Sequence, residues 1–542
     1  MRVISAKEMK SLEAMAVNCG VSLEALMDNA GKALADFICT LNCGKKITFL
    51  AGCGNNGGDC FVAAEELIYR GFNVTIVNLC NKPQTVIAEN AFEKISSGKI
   101  NIIIGYKSES SRMALEKAEI DFMSNNGDEK LEKIIEADKK RIADVADAIK
   151  NADIVVDGVF GTGFHGKLDK EIAEYFELAE NAVKIAVDVP SGADCTSGTV
   201  SKGTFKADYT VTFGCIKSGM TQYPLKKYCG EIILKDIGIP EKALDVLNGN
   251  TVIETTDDMD FSKLLRERQP DSHKGDFGRL LIIAGSEKMR GACVLAAESA
   301  LRCGVGMVCT ASTESAVNAV SARTPESLLL PLEYDFDGFM LYDSNMPLLE
   351  SEIKKADAVL IGCGMGVTTD TKAIVTKIIE TADCPVIIDA DGLNCIASDI
   401  NILQKKKTDI ILTPHPMEMS RLTSLSVAEV QSDRIANALD FAEKYDVTVV
   451  LKGAGTVTAK KGGCIINTTG NSGMSKGGSG DVLAGIIASL TAQGYDSVTA
   501  SALGVYIHGL SGDIAAEKLG AETMLPSDLI KFLPDSFRCL KK

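Results

Sequence analysis

The sequence predicts two α/β domains, each a parallel sheet covered by helices on both faces. Three observations predict them. Short apolar runs of strand length recur along the whole chain, separated by stretches of helix length; strands of that kind are buried on both faces and need crossover helices between them. Glycine-rich loops follow several of these runs, at the sheet edge where open parallel sheets bind ligands. The alternation also stops in a polar, acidic stretch without period and then restarts, dividing the 542 residues into a first domain 1–243, a linker 244–260 and a second domain 261–542.

The elements follow in order. Ser5 and Glu8 fit a capping box ahead of Met9, Leu12 and Met15, so a helix opens the chain. Leu23, Leu26, Met27, Ala30, Leu34, Phe37 and Ile38 fall on one face of a second helix. Strands are expected at Ile47–Ala51, Val74–Val77, Ile100–Ile104, Ile154–Val156, Ile185–Val187, Thr210–Phe213 and Ile232–Leu234. A highly charged, helix-prone stretch at 107–150 interrupts that rhythm and reads as a surface insertion. In the second half strands are expected at Leu280–Ala284, Met307–Thr310, Ala358–Ile361, Val386–Ile388, Ile410–Leu412 and Val447–Leu451. The halves share no sequence similarity, so they read as a fusion and not a duplication.

Composition narrows the function classes. The formal net charge of −16 argues against a general nucleic-acid or membrane-surface binder. No apolar run approaches the roughly 18–20 residues of a membrane span. The first ten residues lack the layout of a signal peptide, so a cytoplasmic protein is expected. The 17 cysteines are scattered without zinc-finger spacing, Cys53 and Cys60 flanking a glycine-rich loop; the expectation is reduced, small, buried thiols.

The first candidate site begins where the run Ile47–Ala51 meets Gly52-Cys53-Gly54-Asn55-Asn56-Gly57-Gly58-Asp59, with a helix expected from near Phe61. Glycines let the backbone approach a ligand, and free N–H groups at a helix start favour phosphate. The spacing is neither the dinucleotide-binding fingerprint nor a P-loop. Two further strand ends carry polar clusters: Asp157 with Gly161-Thr162-Gly163-Phe164-His165-Gly166-Lys167, and Asp188-Val189-Pro190-Ser191-Gly192. Asn56, Asp157 and Ser191 offer hard oxygen ligands of low total charge, which suit a monovalent or weakly held cation. Asp188 reads either as an acid or base, if partly buried, or as a cap on the following turn.

The second candidate site centres on Ser475-Lys476-Gly477-Gly478-Ser479-Gly480-Asp481, followed by a strongly apolar helix. Small residues and an Asp at a helix start make an anion hole beside a carboxylate, and Asp481 can deprotonate an attacking hydroxyl. Upstream, Lys452-Gly453-Ala454-Gly455-Thr456 follows a strand end, where Lys452 and backbone amides can hold nucleotide phosphates. Segments at 273–278, 284–286 and 290–292, with Gly362-Cys363-Gly364-Met365-Gly366, Asp389–Asn394 and Thr413–Glu418, fit a substrate pocket, with His415 between two prolines.

The motifs in 1–240 resemble the YjeF N-terminal family of NAD(P)H-hydrate epimerases. That resemblance implies a Rossmann-like three-layer sandwich, potassium held at Asn56, Asp157 and Ser191, and hydrate contacts at Asn55, Asn56, Gly57, Gly58, Asp59, at Gly161, Thr162, Gly163, Phe164, His165, Gly166 and Lys167, and at a catalytic Asp188. The motifs in 260–540 resemble the YjeF C-terminal family of NAD(P)H-hydrate dehydratases, implying a ribokinase-like α/β domain. There the resemblance implies an AMP-moiety site at Lys452, Gly453, Ala454, Gly455, Thr456 and Gly480, hydrate contacts at Ala292, Gly364, Gly366, His415 and Asp481, and Asp481 as catalytic base. Together the two imply a bifunctional enzyme of NAD(P)H hydrate and ADP with magnesium, a homo-oligomer without nucleic-acid or membrane partner. Cys60 stands where the first family often has Gly, and Cys363 where the second commonly has Pro. Two readings compete: a small-molecule kinase sharing the Gly-Ser-Gly-Asp element, and a non-catalytic binding scaffold in the first half.

Overall fold

A computed structural model of the chain describes residues 3–96, 100–106, 129–247 and 251–541. The chain forms two units, Met1–Asn250 and Thr251–Lys542.

In the first unit a short parallel ladder joins β1 (Val3–Ile4) to β8 (Ile216–Lys217). The main sheet contains β2 (Lys46–Ala51), β3 (Asn73–Asn78), β4 (Asn101–Ile104), β5 (Ile154–Gly158), β6 (Val183–Val187), β7 (Tyr209–Phe213) and β9 (Glu231–Lys235). Their order is β4-β3-β2-β5-β6-β7-β9, and every pairing is parallel. From β2 the chain moves outward to β3, and from β5 it moves the other way to β6. The topological switch point, where ligand crevices open in such sheets, therefore lies between β2 and β5.

Successive side chains on a strand point to opposite faces, and both faces here are apolar. Phe49 joins a core with Leu34, Phe61 and Val156, while its neighbour Leu50 joins one with Val77, Val155 and Phe205. The helix Ala6–Asn18 opens with the expected Ser5–Glu8 capping box, and Ser22 caps the helix Leu23–Thr40.

The second unit contains β10 (Val252–Thr255), β11 (Arg279–Ile283), β12 (Met307–Ser312), β13 (Leu328–Pro331), β14 (Ala358–Ile361), β15 (Val386–Ile388), β16 (Ile410–Leu412), β17 (Thr448–Leu451), β18 (Val457–Lys460) and β19 (Gly463–Ile466). The order runs β13-β12-β11-β14-β15-β16-β17-β18-β19-β10. Pairing is parallel from β13 to β17, antiparallel through β18 and β19, and parallel again between β19 and β10. Helix Ser479–Ala492 is apolar all round because it is covered all round: Leu483 and Ile487 pack on the sheet side, and Val482, Ile486 and Leu490 meet Leu503, Ile507 and Leu529.

Several sequence expectations are corrected. The helix after the first glycine-rich loop begins at Asn55, not near Phe61, so Asn55–Asp59 form its first turn. Of the expected surface insertion, 107–128 lies outside the described residues, whereas Glu129–Lys150 is the helix leading into β5. Its Val145 and Ile149 belong to the core, and Thr48 Oγ1 donates to Ala148 O at 2.8 Å. The polar stretch expected as a linker carries β10, which pairs with β19 over four residues. The expectation of reduced thiols fails at one pair: Cys53 and Cys80 are joined as a disulfide, while the other cysteines are free and mostly buried.

Ile149 is 1% exposed, so Ile149→Ala is expected to cost about 2–5 kcal/mol in urea denaturation; a change within roughly 0.5 kcal/mol, usual for surface sites, would place that helix outside the core.

Candidate active sites

A cavity of about 570 Å³ opens at the switch point of the first unit. Its wall includes Asn55, Asn56 and Asp59 from the first turn after β2, Val159–Phe164 after β5, and Asp188 after β6. Phe213 and Lys217 lie beyond β7, and Met9 and Glu13 come from the first helix. The helix Asn55–Tyr69 has Gly54 as N-cap and no side-chain cap, which leaves its positive end to a ligand.

Asp188 holds a left-handed backbone conformation (φ 63°), costly for a residue with a Cβ and often found where function fixes a side chain. Its Oδ1 accepts from Thr212 Oγ1 at 3.0 Å, from Phe213 N at 3.4 Å and from the ammonium of Lys217. The described hydrogen bonds of its carboxylate all fall on Oδ1, which leaves Oδ2 toward a ligand. Lys217 is fully buried, and its Nζ also donates to Thr212 Oγ1 at 2.9 Å and Phe213 O at 3.1 Å. Asp59 behaves differently: burial, and then the charges of Asp188 and Glu13, push its carboxyl well above the ordinary range. The cavity thus presents an aspartate paired with an ammonium and a second carboxyl whose proton affinity is raised.

Beside this cavity Asp157 is wholly buried. It accepts from Ser191 Oγ at 2.6 Å, Ser191 N at 2.8 Å and Val159 N at 3.2 Å, yet burial outweighs these bonds and lifts it to about 7. Ser191 Oγ also accepts from Phe160 N at 2.8 Å, and Asn56 Nδ2 donates to Phe160 O at 3.1 Å. The three expected cation ligands therefore gather around the backbone of Val159 and Phe160.

In the second unit the polar groups converge at the carboxyl ends of β15 and β17. Lys452 Nζ donates to Asp389 Oδ1 at 2.7 Å and lies 3.9 Å from Glu418. Burial opposes the Lys452 charge, but Asp389 and Glu418 outweigh it and hold the ammonium above its usual range. Asp389 also accepts from Thr413 Oγ1 at 2.6 Å and from the Cys363 thiol at 3.5 Å. The Cys363 sulfur and carboxylate oxygens of Asp389 and Asp481 lie within 4.8 Å of one another. Burial, then the charge of Asp389, pushes Asp481 up to about 6. Gly480 sits directly over this group: a Cβ there would stand 3.3 Å from Lys452 Nζ, so the absence of a side chain keeps the helix start open to the lysine.

Two family models match the chain, one described as YjeF-related protein N-terminus over residues 23–219 and one as NAD(P)H-hydrate dehydratase over residues 280–535. The bifunctional NAD(P)H-hydrate repair enzyme of Thermofilum pendens is 34% identical over 549 aligned residues, covering 100% of this chain and 97% of the relative. The chain belongs to the family of bifunctional NAD(P)H-hydrate repair enzymes. The Moorella thermoacetica member is 33% identical, with 100% and 98% covered. Among solved structures, an ADP/ATP-dependent NAD(P)H-hydrate dehydratase of Bacillus subtilis is 32% identical over 51% of this chain and 94% of its own, with a TM-score of 0.44.

In this repair-enzyme chain the structure brings Asn55, Asn56, Asp59, Gly161, Thr162, Gly163, Phe164 and Asp188 to one cavity. The other expected residues of the two sites have different surroundings. Gly57 and Gly58 pack inward, where a Cβ would strike Gly52 O and the Met27 side chain. His165, Gly166 and Lys167 are exposed, with His165 paired to Asp194 at 2.9 Å. His415 caps its own helix, its Nδ1 accepting from Met417 N at 3.1 Å and Glu418 N at 3.2 Å. Ala292 lies against Gly364, and Gly366 N donates to Asp391 Oδ2 at 2.9 Å. Lys452 Nζ is paired with Asp389, and Thr456 Oγ1 turns back to Gly453 O at 2.9 Å.

Sequence reasoning missed Lys217 and Glu13. Each left a signal: Glu13 stands one turn after the buried Met9 on an apolar stripe, and Lys217 follows an apolar pair at a strand end.

Lys452→Met would leave Asp389 buried without its cation, so a loss of about 3–5 kcal/mol is expected in chemical denaturation. Adding Asp389→Asn should return much of it, whereas an unchanged loss in the double variant would remove the pair as the cause.

Proposed function

We propose that the N-terminal unit interconverts the R and S epimers of NAD(P)H hydrate, and that the C-terminal unit dehydrates the S epimer to NAD(P)H while ADP is split to AMP and phosphate, as a homo-oligomer in the cytoplasm. Membership of the repair-enzyme family supports this reading. The observation that carries it is the placing, in one cavity at the N-terminal switch point, of an ammonium-held Asp188 and an Asp59 whose proton affinity burial raises.

The hydrate bears a hydroxyl on a ring carbon bonded to the ring nitrogen. Asp59 donates its proton to that hydroxyl as the nitrogen lone pair expels water, and a planar ring iminium remains. Water returns to the opposite face, with Asp188 accepting its proton, and the configuration is inverted. Lys217 pairs with Asp188 and fixes its direction. Asn56, Asp157 and Ser191 would hold potassium: their donors are oxygens, and the buried Asp157 carboxyl lacks a positive neighbour that would lower it from about 7. Potassium, when bound, supplies fixed positive charge beside the loop 158–164.

In the C-terminal unit Asp481 takes the proton of the substrate hydroxyl as its oxygen attacks the terminal phosphorus of ADP, and AMP departs. Phosphate then leaves the ring carbon with the bonding pair, the nitrogen lone pair forms the iminium, and loss of a proton from the adjacent carbon restores the dihydropyridine. Lys452–Thr456 and Gly480 would border the AMP moiety, and Ala292, Gly364, Gly366 and His415 the hydrate. Magnesium, when bound with ADP, neutralises phosphate charge.

With mixed-epimer NADH hydrate, ADP and magnesium, recovery of the reduced-nicotinamide absorbance from both epimers is expected. Asp188→Ala should confine fast recovery to the S epimer, and full exchange in that variant would remove Asp188 from the mechanism. A stable phosphorylated product without NADH would point instead to a kinase.

Asp481 must be ionised to act as a base. With its carboxyl at about 6, the dehydration rate should fall as pH drops through about 6 and level off above it. Asp481→Asn should lower kcat by about 10²–10⁴-fold; a near wild-type rate would transfer the role to another group.

A further inference from the structure

We propose that Cys53 and Cys80 form a thiol–disulfide modification site that sets the stiffness of the N-terminal cavity rim. It would take a low-molecular-weight disulfide as oxidant and a low-molecular-weight thiol as reductant. Only the activity arm of the test rests on the epimerase reading above.

The two cysteines close two adjacent loops at the ligand edge of the sheet. Cys53 lies two residues after β2 and lines the cavity, and Cys80 lies two residues after β3. Their Cα atoms are 5.1 Å apart and joined through a disulfide, within the range that such a bond needs without backbone movement. The loop after Cys80 is part of the cavity wall through Gln84 and Thr85. Gln84 N donates to Cys53 O at 2.7 Å, and Thr85 Oγ1 donates to Asn55 Oδ1 at 2.7 Å. The covalent link is thus the third tie between the glycine-rich loop and the segment facing it, and the one that chemistry can make and break.

The two sulfurs are not equivalent. Cys53 is partly exposed, whereas Cys80 is buried. Cys53 also precedes the uncapped start of helix Asn55–Tyr69, where a thiolate is favoured. Oxidation therefore starts at Cys53: its thiolate attacks one sulfur of the small disulfide, forms a mixed disulfide and releases one small thiolate. Cys80 gives up its proton, attacks the Cys53 sulfur and expels the second. Two protein thiols and one small disulfide become one protein disulfide and two small thiols. Reduction runs the same steps backwards. Most other cysteines are buried singly in the cores, and no other disulfide forms among them.

The test uses the full chain equilibrated with oxidised glutathione or with dithiothreitol. Differential alkylation and peptide mass mapping should show Cys53 and Cys80 protected together after oxidation and both alkylated after reduction. Amide hydrogen exchange over Leu79–Thr85 should be slower in the oxidised form. The epimerase KM should rise about two- to tenfold on reduction, the scale of immobilising one side chain, while dehydration of the S epimer stays constant. Cys80→Ser should match the reduced enzyme under both conditions. Alkylation of both cysteines after oxidation would overturn the proposal, as would equal exchange over Leu79–Thr85 in the two forms or an epimerase KM that ignores the redox state. Absence of epimer exchange in both forms would count against the epimerase reading, with alkylation and hydrogen exchange still deciding the redox site.

Discussion

In each unit a lysine ammonium is taken out of water and set on an aspartate at a strand end, Lys217 on Asp188 and Lys452 on Asp389. Moving a lone charge into a protein interior costs several kcal/mol, so neither partner can be buried without the other. That constraint fixes where the surrounding acids sit and how they titrate. Asp59 is pushed well above the ordinary carboxyl range, first by its burial and then by the charge of Asp188 beside it. Asp481 is lifted first by burial and then by the charge of Asp389, which Lys452 offsets only in part. Both sites therefore contain one acid matched by a lysine and a second acid displaced from its ordinary behaviour, the arrangement by which one cavity supplies different proton affinities.

The sheets place these pairs. A parallel strand ends with its carbonyl edge toward the crevice, and the next helix begins there with its positive end. Asp157 and Asp188 leave adjacent strands of one sheet, and Asp389 and Lys452 leave β15 and β17 of the other. The left-handed backbone of Asp188 and of Ala390, next to Asp389, marks where the chain turns sharply to aim a side chain. Such conformations persist only when packing on all sides over-determines them, and the strands that carry them are buried on both faces.

Much of this was legible in the sequence because doubly buried strands leave continuous apolar runs. Ile154–Val156 and Ala358–Ile361 read directly as strands for that reason. The hairpin β18–β19 did not, since its strands are only four residues each, with Lys460 and Gly463 beside the turn at Lys461-Gly462, where Gly462 takes φ 91°. The early helix start at Asn55 was hidden by Gly57 and Gly58, poor helix formers that are small because Gly52 and Met27 press against them. The acids and glycine loops of both sites were visible as motifs. Their lysine partners were not assigned, since Lys217 is 29 residues from Asp188 and Lys452 is 63 from Asp389; only the folded topology joins them.

Strand β10 has a practical consequence for anyone wishing to separate the two halves by truncation. Val252–Thr255 supplies the backbone partners of Gly463–Ile466, although its polar composition makes it look dispensable. A fragment trimmed back to residue 261 would strip β19 of that neighbour and bare a row of open amides and carbonyls, a template for intermolecular association. A cut placed ahead of Thr251 keeps the β10–β19 ladder whole, so the solubility of an isolated second half depends on a four-residue strand that resembles a tether.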